Sequence, residues 1–151
     1  MLRCHDMAPN DDVKIILGDT NAKIRQEREY YAILGKYSLH KTSNENGKLL
    51  TAFAQGKNMV IVSTKFPCKD MHKATCVSPD GQTTIHINHT LIDRRQATSI
   101  ANVRTYKGDN YDSDHYLVKG MYKSTIQTRK HITKGMTENQ SGRATKGQRQ
   151  G

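Results

Sequence analysis

The sequence predicts an α+β domain, mainly antiparallel sheet with a flanking helix, followed by a basic tail. Three observations carry this. The β-branched, apolar runs at residues 13–17 and 59–62 have the length of strands rather than helices. Residues 83–93 alternate apolar and polar side chains directly after Ser78-Pro79-Asp80-Gly81, a tight-turn signature of the kind that joins antiparallel neighbours. One stretch, 44–56, places apolar residues at helical spacing. With 151 residues, of which 34% are hydrophobic, the chain can bury one modest core but not pack throughout.

In chain order, residues 1–12 are polar and read as irregular. Residues 13–21, V-K-I-I-L-G-D-T-N, read as a largely buried strand interrupted only by Lys14 and stopping at Gly18, with Asp19 and Asn21 held on its rigid edge. Residues 22–42 are mixed, a connecting loop with room for one helical turn. Asn44 or Asn46 caps the helix, Leu49, Leu50 and Phe53 form its buried face, and Gly56 before Lys57-Asn58 ends it. A second buried strand covers 59–64. The turn at 78–81 joins a strand at 74–77 to one at 83–93. In the latter, Ile85, Ile87 and Leu91 face a core, while Thr84, His86, Asn88 and Thr90 face a polar environment. Residues 100–106 are a further strand, and 108–113 a polar loop with Asp109 and Asp112. A last strand runs from Asp114 to Tyr122. Beyond this the apolar residues are too sparse to repay ordering, so a domain at 1–123 precedes a disordered basic tail at 124–151.

The net charge is +10, and half of it lies in 124–151, which holds six Lys/Arg and one Glu. A surplus of this size favours a polyanionic partner, with Arg129, Lys130 and Lys134 as candidate nucleic-acid contacts. Three cysteines, Cys4, Cys68 and Cys76, without a C-x-x-C pair point to a reducing compartment. The start lacks a signal-peptide core and no apolar run could span a bilayer. The expected setting is intracellular, nuclear or cytoplasmic, not secreted and without a membrane partner. Zinc is not expected. The spacing of Cys68, His72 and Cys76 fits no common finger, and His86 and His89 should face opposite sides of their strand.

Three polar stations stand at strand edges: Asp19 with Asn21, His86 with Asn88, and Asp114 with His115. Phosphodiester hydrolysis draws on such an inventory. Carboxylates hold a hard divalent cation or orient water, an imidazole stabilises the transition state or moves a proton, and an amide positions water or phosphate without repelling it.

In order and spacing, G-D-T-N at 18–21, I-N-H-T-L-I-D at 87–93 and S-D-H at 113–115 resemble the later motifs of the endonuclease/exonuclease/phosphatase family. The linking segments N-E-N-G-K-L-L-T-A-F-A, K-N-M-V-I-V-S-T-K-F-P, S-P-D-G and L-I-D-R-R resemble its retrotransposon-derived branch, the endonucleases of non-LTR elements and the related craniofacial development proteins. The resemblance runs from about Asp12 to Val118 and implies part of a four-layer α/β/β/α, DNase I-like sandwich. It also implies DNA as partner, Mg²⁺ or Mn²⁺ as the metal, and no small-molecule cofactor. Carried over by position, Asp19 would align or deprotonate the water, Asn21 would help hold the phosphate, Asp114 would bind metal and His115 would contact the phosphate. Two departures follow. The family takes a metal-binding Glu and an Asn from an earlier half, which a longer transcript would have to supply. The family also has Asp where this chain has Asn88, and that Asp orients the histidine. The same exchange beside the histidine of a serine-protease triad lowers turnover about 10⁴-fold. In smaller departures, Thr20 stands where an apolar residue is usual and Cys76 where a Trp is usual. The expected function is thus a retrotransposon-derived, endonuclease-like domain whose DNA hydrolysis is weakened or lost. The alternatives are a non-catalytic basic nucleic-acid-binding protein and a transposon relic without selected function.

Overall fold

The computed structural model describes residues 2–78, 81–107 and 114–124. In chain order they form helix α1 (Leu2–Met7), strand β1 (Ile15–Asp19), helix α2 (Glu45–Gly56), and strands β2 (Met59–Ile61), β3 (Cys76–Val77), β4 (Thr84–Ile85), β5 (Asn88–Asp93), β6 (Ile100–Tyr106) and β7 (Leu117–Tyr122), with short 3-10 turns between them. The strands pair antiparallel as β1-β5-β2, β3-β4 and β6-β7. The described residues are thus mixed α and antiparallel β, with few helices.

β5 is hydrogen-bonded on both edges and its alternation feeds two cores. Leu91 joins Met59 and Ile61 of β2, Leu50 and Ala54 of α2, and Ala22, Ile24 and Leu34. Ile92 joins Val60 and Val62, and meets Ile100 and Val103 of β6 on the other side. α2 starts where its sequence says it should. The Asn44 side chain accepts from Gly47 N at 2.8 Å and from Lys23 N at 2.9 Å, so the cap also ties down the chain leaving β1. Gly47 must lack a side chain, because a Cβ there would stand 2.0 Å from the Lys23 carbonyl oxygen. At the turn expected over 78–81, Gly81 has φ +70° and donates to Ser78 O at 2.8 Å.

Several expectations are corrected. Leu2–Met7 is helical rather than irregular, because His5 packs edge-on against Phe53 and Asp6 bonds Lys57 at 2.6 Å. β1 is not largely buried. It lies at the edge of its sheet, and Val13, Ile15 and Leu17 are exposed, Leu17 at 61%. Of its side chains Ile16 packs against the α2-side core. The hairpin β6–β7 packs over the opposite face but leaves a groove of about 380 Å³ along Ile15, Leu17, Ile100, Leu117 and Tyr122. Nor does β1 stop at Gly18; it pairs through to Asp19. In α2 the buried residues are Gly47, Leu50 and Ala54, while Leu49 is exposed. The helix does end at Gly56 as expected, and Asn58 behind it takes the left-handed conformation, with φ +51°.

The strand expected at 59–64 ends at Ile61. The Thr64 hydroxyl donates to Ile61 O and accepts from Gly35 N, each at 2.8 Å, and curls Val62–Thr64 into a 3-10 turn. The strand expected at 83–93 breaks at 86–87. There the Thr75 hydroxyl accepts from Ile87 N at 2.9 Å and from Asn88 N at 3.1 Å in place of a ladder partner. Its polar side is also buried, at His86 and Thr90. The last strand begins at Leu117, and 114–116 pair with β3 instead. The loop expected at 108–113, and the tail expected at 124–151 beyond Ser124, lie outside the described residues.

Leu91→Ala, in the centre of the sheet, should lower stability by about 2–5 kcal/mol, whereas Leu17→Ser on the open edge should cost roughly 0.5 kcal/mol or less. Urea unfolding followed by circular dichroism measures both. Equal losses would mean that β1 is covered on its outer face.

Candidate functional site

Two backbone pairings bring the polar stations together. In the β1–β5 ladder Asp19 is the direct partner of Asn88. On the adjoining side, Cys76 and His115 form an antiparallel bridge, Val77 N donates to Asp114 O at 3.0 Å, and Tyr116 N donates to Thr75 O at 2.8 Å. Because the Thr75 hydroxyl also holds the start of β5, the two pairings share one anchor.

The side chains converge accordingly. His115 Nε2 lies 4.0 Å from Asp19 Oδ2. Its Nδ1 lies 3.5 Å from Asn88 Nδ2. An amide N–H can only donate, so this contact favours the imidazole tautomer protonated on Nε2, which faces Asp19. Asn88 Oδ1 is buried without a hydrogen-bond partner. The Asp114 carboxylate stands 4.0 Å from Cys76 Sγ. Burial, and then the Asp114 and Asp19 carboxylates, push the Cys76 thiol above its usual range.

Asn21 reaches this end of the molecule by another route. It sits at φ +48°, its N–H donates to Asp19 Oδ1 at 2.9 Å, and its carbonyl accepts from Asn44 Nδ2 at 2.9 Å and Asn46 Nδ2 at 3.3 Å. The N-terminus of α2 therefore fixes the backbone of the G-D-T-N loop. With Asp19, Thr20, Asn46, Leu49 and Phe53, Asn21 lines an open groove of about 540 Å³. Thr20 donates its hydroxyl to Ile87 O at 2.8 Å. Arg129, Lys130 and Lys134 lie outside the described residues.

Among the described residues, the metal-donor group is Cys76, Asp114 and His115, with ligand atoms all within 4.8 Å of one another. Sequence spacing groups Cys76 with Cys68 and His72, in a pattern that fits no common finger, and does not pair it with Asp114 and His115. The signal that could have found it is the pairing of a strand before the 78–81 turn with the S-D-H segment.

His86 and His89 do not face opposite sides, since the strand break turns both inward and leaves their rings 4.5 Å apart. His89 accepts from or donates to Ser63 Oγ at 2.9 Å, and its Nε2 lies 2.8 Å from Ala22 O. A carbonyl can only accept, so Nε2 carries the proton and Nδ1 takes the Ser63 hydroxyl. His40 Nε2 approaches the His86 backbone, 3.0 Å from its N. Burial pushes His89 down to about 4, and pushes His86 well below and His40 below the ordinary range. These three are neutral packing groups.

The chain is similar to craniofacial development protein 2. It is 30% identical over 122 residues to that protein of Bos taurus and of Tragulus javanicus, a match that covers 81% of this chain and 20% and 21% of theirs. The chain thus spans about a fifth of the length of the curated relatives it matches. No family model matches it. Among the described residues no helix is long and apolar enough to cross a membrane.

The histidines set an acid limit on stability. An unfolded histidine titrates near 6.5. Native His89 does so at about 4. Between these values the unfolded chain binds a proton that the native chain refuses. The contribution is therefore complete above about pH 6.5 and is lost as pH falls toward 4, by roughly 3 kcal/mol for His89 alone. Denaturant unfolding at a series of pH values should show this slope, and His89→Gln should flatten it.

Proposed function

We propose that residues 12–118 are part of a retrotransposon-derived endonuclease-like domain of the endonuclease/exonuclease/phosphatase type, whose ancestral reaction is metal-dependent hydrolysis of DNA phosphodiester bonds. One observation carries this reading: Asp19, Asn88, Asp114 and His115, which fall in the family's motif order, meet at one end of the β1-β5-β2 sheet. The 30% identity to craniofacial development protein 2 over 81% of the chain agrees with the branch that the motifs resemble. The four-layer sandwich belongs to the same proposal. Its support is the sheet with α2 on one face and the β6–β7 hairpin on the other, with apolar Leu17, Leu117 and Met121 left open at the edges where further strands would pack.

In this reading Asp19 aligns or deprotonates the attacking water, beside a backbone held by the α2 cap. Asn21, on the groove side, steadies the phosphate. His115 faces the reacting phosphate, its ring held through Nδ1. Asp114 is the hard-oxygen donor for Mg²⁺ or Mn²⁺, which when bound would neutralise phosphate charge. One carboxylate suits a cation that keeps most of its waters, and the metal-binding Glu of the family has no counterpart among the matched motifs. Asn88 is the weak point. It supplies no negative charge to an imidazolium, and it favours the tautomer with Nδ1 unprotonated.

Nicking of supercoiled plasmid in Mg²⁺ tests the reading. The unaltered chain should nick slowly or not at all, and Asn88→Asp should raise the rate at least about tenfold. Adding Asp19→Ala or His115→Ala to that variant should abolish the gain. Nicking that survives both alanine changes would remove these residues from the site.

The net charge of +10 favours a second reading, a non-catalytic protein that binds nucleic acid through its charge. Fluorescence anisotropy with a DNA duplex would then show affinity that persists in EDTA, falls steeply with salt and drops on deletion of 124–151. Affinity indifferent to salt would exclude it.

A further inference from the structure

We propose that Cys76, Asp114 and His115 form a binding site for a thiophilic divalent cation of the zinc class. The three donors come from two segments that are already clamped to each other. The Cys76–His115 bridge and the bonds from Val77 N to Asp114 O (3.0 Å) and Tyr116 N to Thr75 O (2.8 Å) fix the backbone on both sides. Closing a site therefore requires side-chain rotation rather than rearrangement of the chain. Tetrahedral zinc with ordinary bond lengths places its donors roughly 3.3–3.6 Å apart. Here Cys76 Sγ and Asp114 Oδ2 stand at 4.0 Å, and all three ligand atoms lie within 4.8 Å. The residual distance is within the reach of small χ rotations.

The chemistry of the set selects the class of cation. A thiolate and an imidazole are poor ligands for Mg²⁺, which prefers oxygen in near-octahedral geometry, whereas sulfur, nitrogen and a carboxylate oxygen together suit Zn²⁺ and Co²⁺. A neighbouring carboxylate adds local negative charge at this place. Within a chain of net charge +10, Asp19 Oδ2 lies 4.0 Å from His115 Nε2, so a second carboxylate borders the three donors. Three protein ligands leave a fourth position, which Asp19 or water can fill. A cation held here occupies His115, and so competes with any role of that ring toward a phosphate. The inference stands on donor placement alone and is independent of the nuclease reading.

The test is a Co²⁺ titration of the full, reduced, metal-free chain, read by the thiolate-to-cobalt charge-transfer band, followed by Zn²⁺ competition against a chromophoric chelator in excess Mg²⁺. The band should appear at one equivalent, Zn²⁺ should abolish it and Mg²⁺ should not. Cys76→Ser and Asp114→Asn should each weaken zinc binding by more than the roughly 10- to 100-fold that loss of an outer-shell partner costs. Cys4→Ser and Cys68→Ser should leave it unchanged. Because replacing buried Cys76 can perturb the fold, slow alkylation of the unaltered chain over a long time course provides a check that needs no variant: zinc should lower the labelling rate of Cys76, assigned by peptide mass, and not that of Cys4. No charge-transfer band, a band that survives Cys76→Ser, a band lost with Cys68→Ser, or unprotected Cys76 labelling would each overturn the site. A failed plasmid-nicking assay would not.

Discussion

The antiparallel pairing of β1 with β5 is the constraint on which the candidate site depends. Side chains alternate with period 2, so a slip of one residue would turn Ile16 out of the α2-side core and move Asp19 from its place opposite Asn88. The hydrophobic pattern alone would hold this register poorly, because the other apolar side chains of β1 are exposed. Polar bonds at the two ends supply the rest. At one end Lys14 N donates to Asp93 Oδ2, and Asp93 N to Lys14 O, both at 3.2 Å. At the other end both the N–H and the hydroxyl of Thr20 reach Ile87 O. The threonine hydroxyl thereby meets a carbonyl where the ladder ends. Each such bond contributes on the order of 1 kcal/mol, and together they pin the strand end that carries Asp19.

Thr75 plays the matching part on the other side of the site. It is fully buried, its N–H donates to Ile85 O, its carbonyl accepts from Tyr116 N, and its hydroxyl receives the N–H groups of Ile87 and Asn88. One residue thus interrupts the long strand through its hydroxyl, and through its backbone carbonyl couples the segment that follows Asp114 and His115 to β5. Leaving those buried N–H groups without an acceptor would cost about 1–3 kcal/mol, so the break is as strongly specified as a strand.

The polar stations were legible in the sequence because each stands where a strand or a strand-like segment ends, and the order of their motifs predicts a common site. Burial was not legible in the same way. An apolar run such as V-K-I-I-L records what a strand can bury, not whether anything covers it, and β1 is covered on one face only. Nor could periodicity reveal the break at 86–87, since its cause is a hydroxyl 12 and 13 residues away in sequence. The same long-range effect hid Cys76, whose meaning depends on which segment pairs beside it. Asn44, by contrast, was readable as a cap, but its second task of holding Asn21 in a left-handed conformation becomes visible only once the loop and helix meet.

On the proposed nuclease reading, two residues would then decide what kind of chemistry this end of the molecule favours. The position opposite Asp19 holds an amide, which cannot stabilise a charged imidazole, and the position bridged to His115 holds a thiol rather than a bulky ring. The first change withdraws negative charge from the histidine. The second adds a soft donor beside Asp114 and the same histidine. Both act in one direction. On the readings proposed above, they would make His115 less suited to acid–base work on a phosphate and better suited to ligating a soft cation. The bonds of the β1–β5 ladder and of the Thr75 hydroxyl that position it use backbone groups and Thr75, not the side chains of Asn88 and Cys76. A site can therefore keep its geometry while its chemistry shifts, and the charge of the residue at position 88 and the sulfur at position 76 are the two variables that set where it lies.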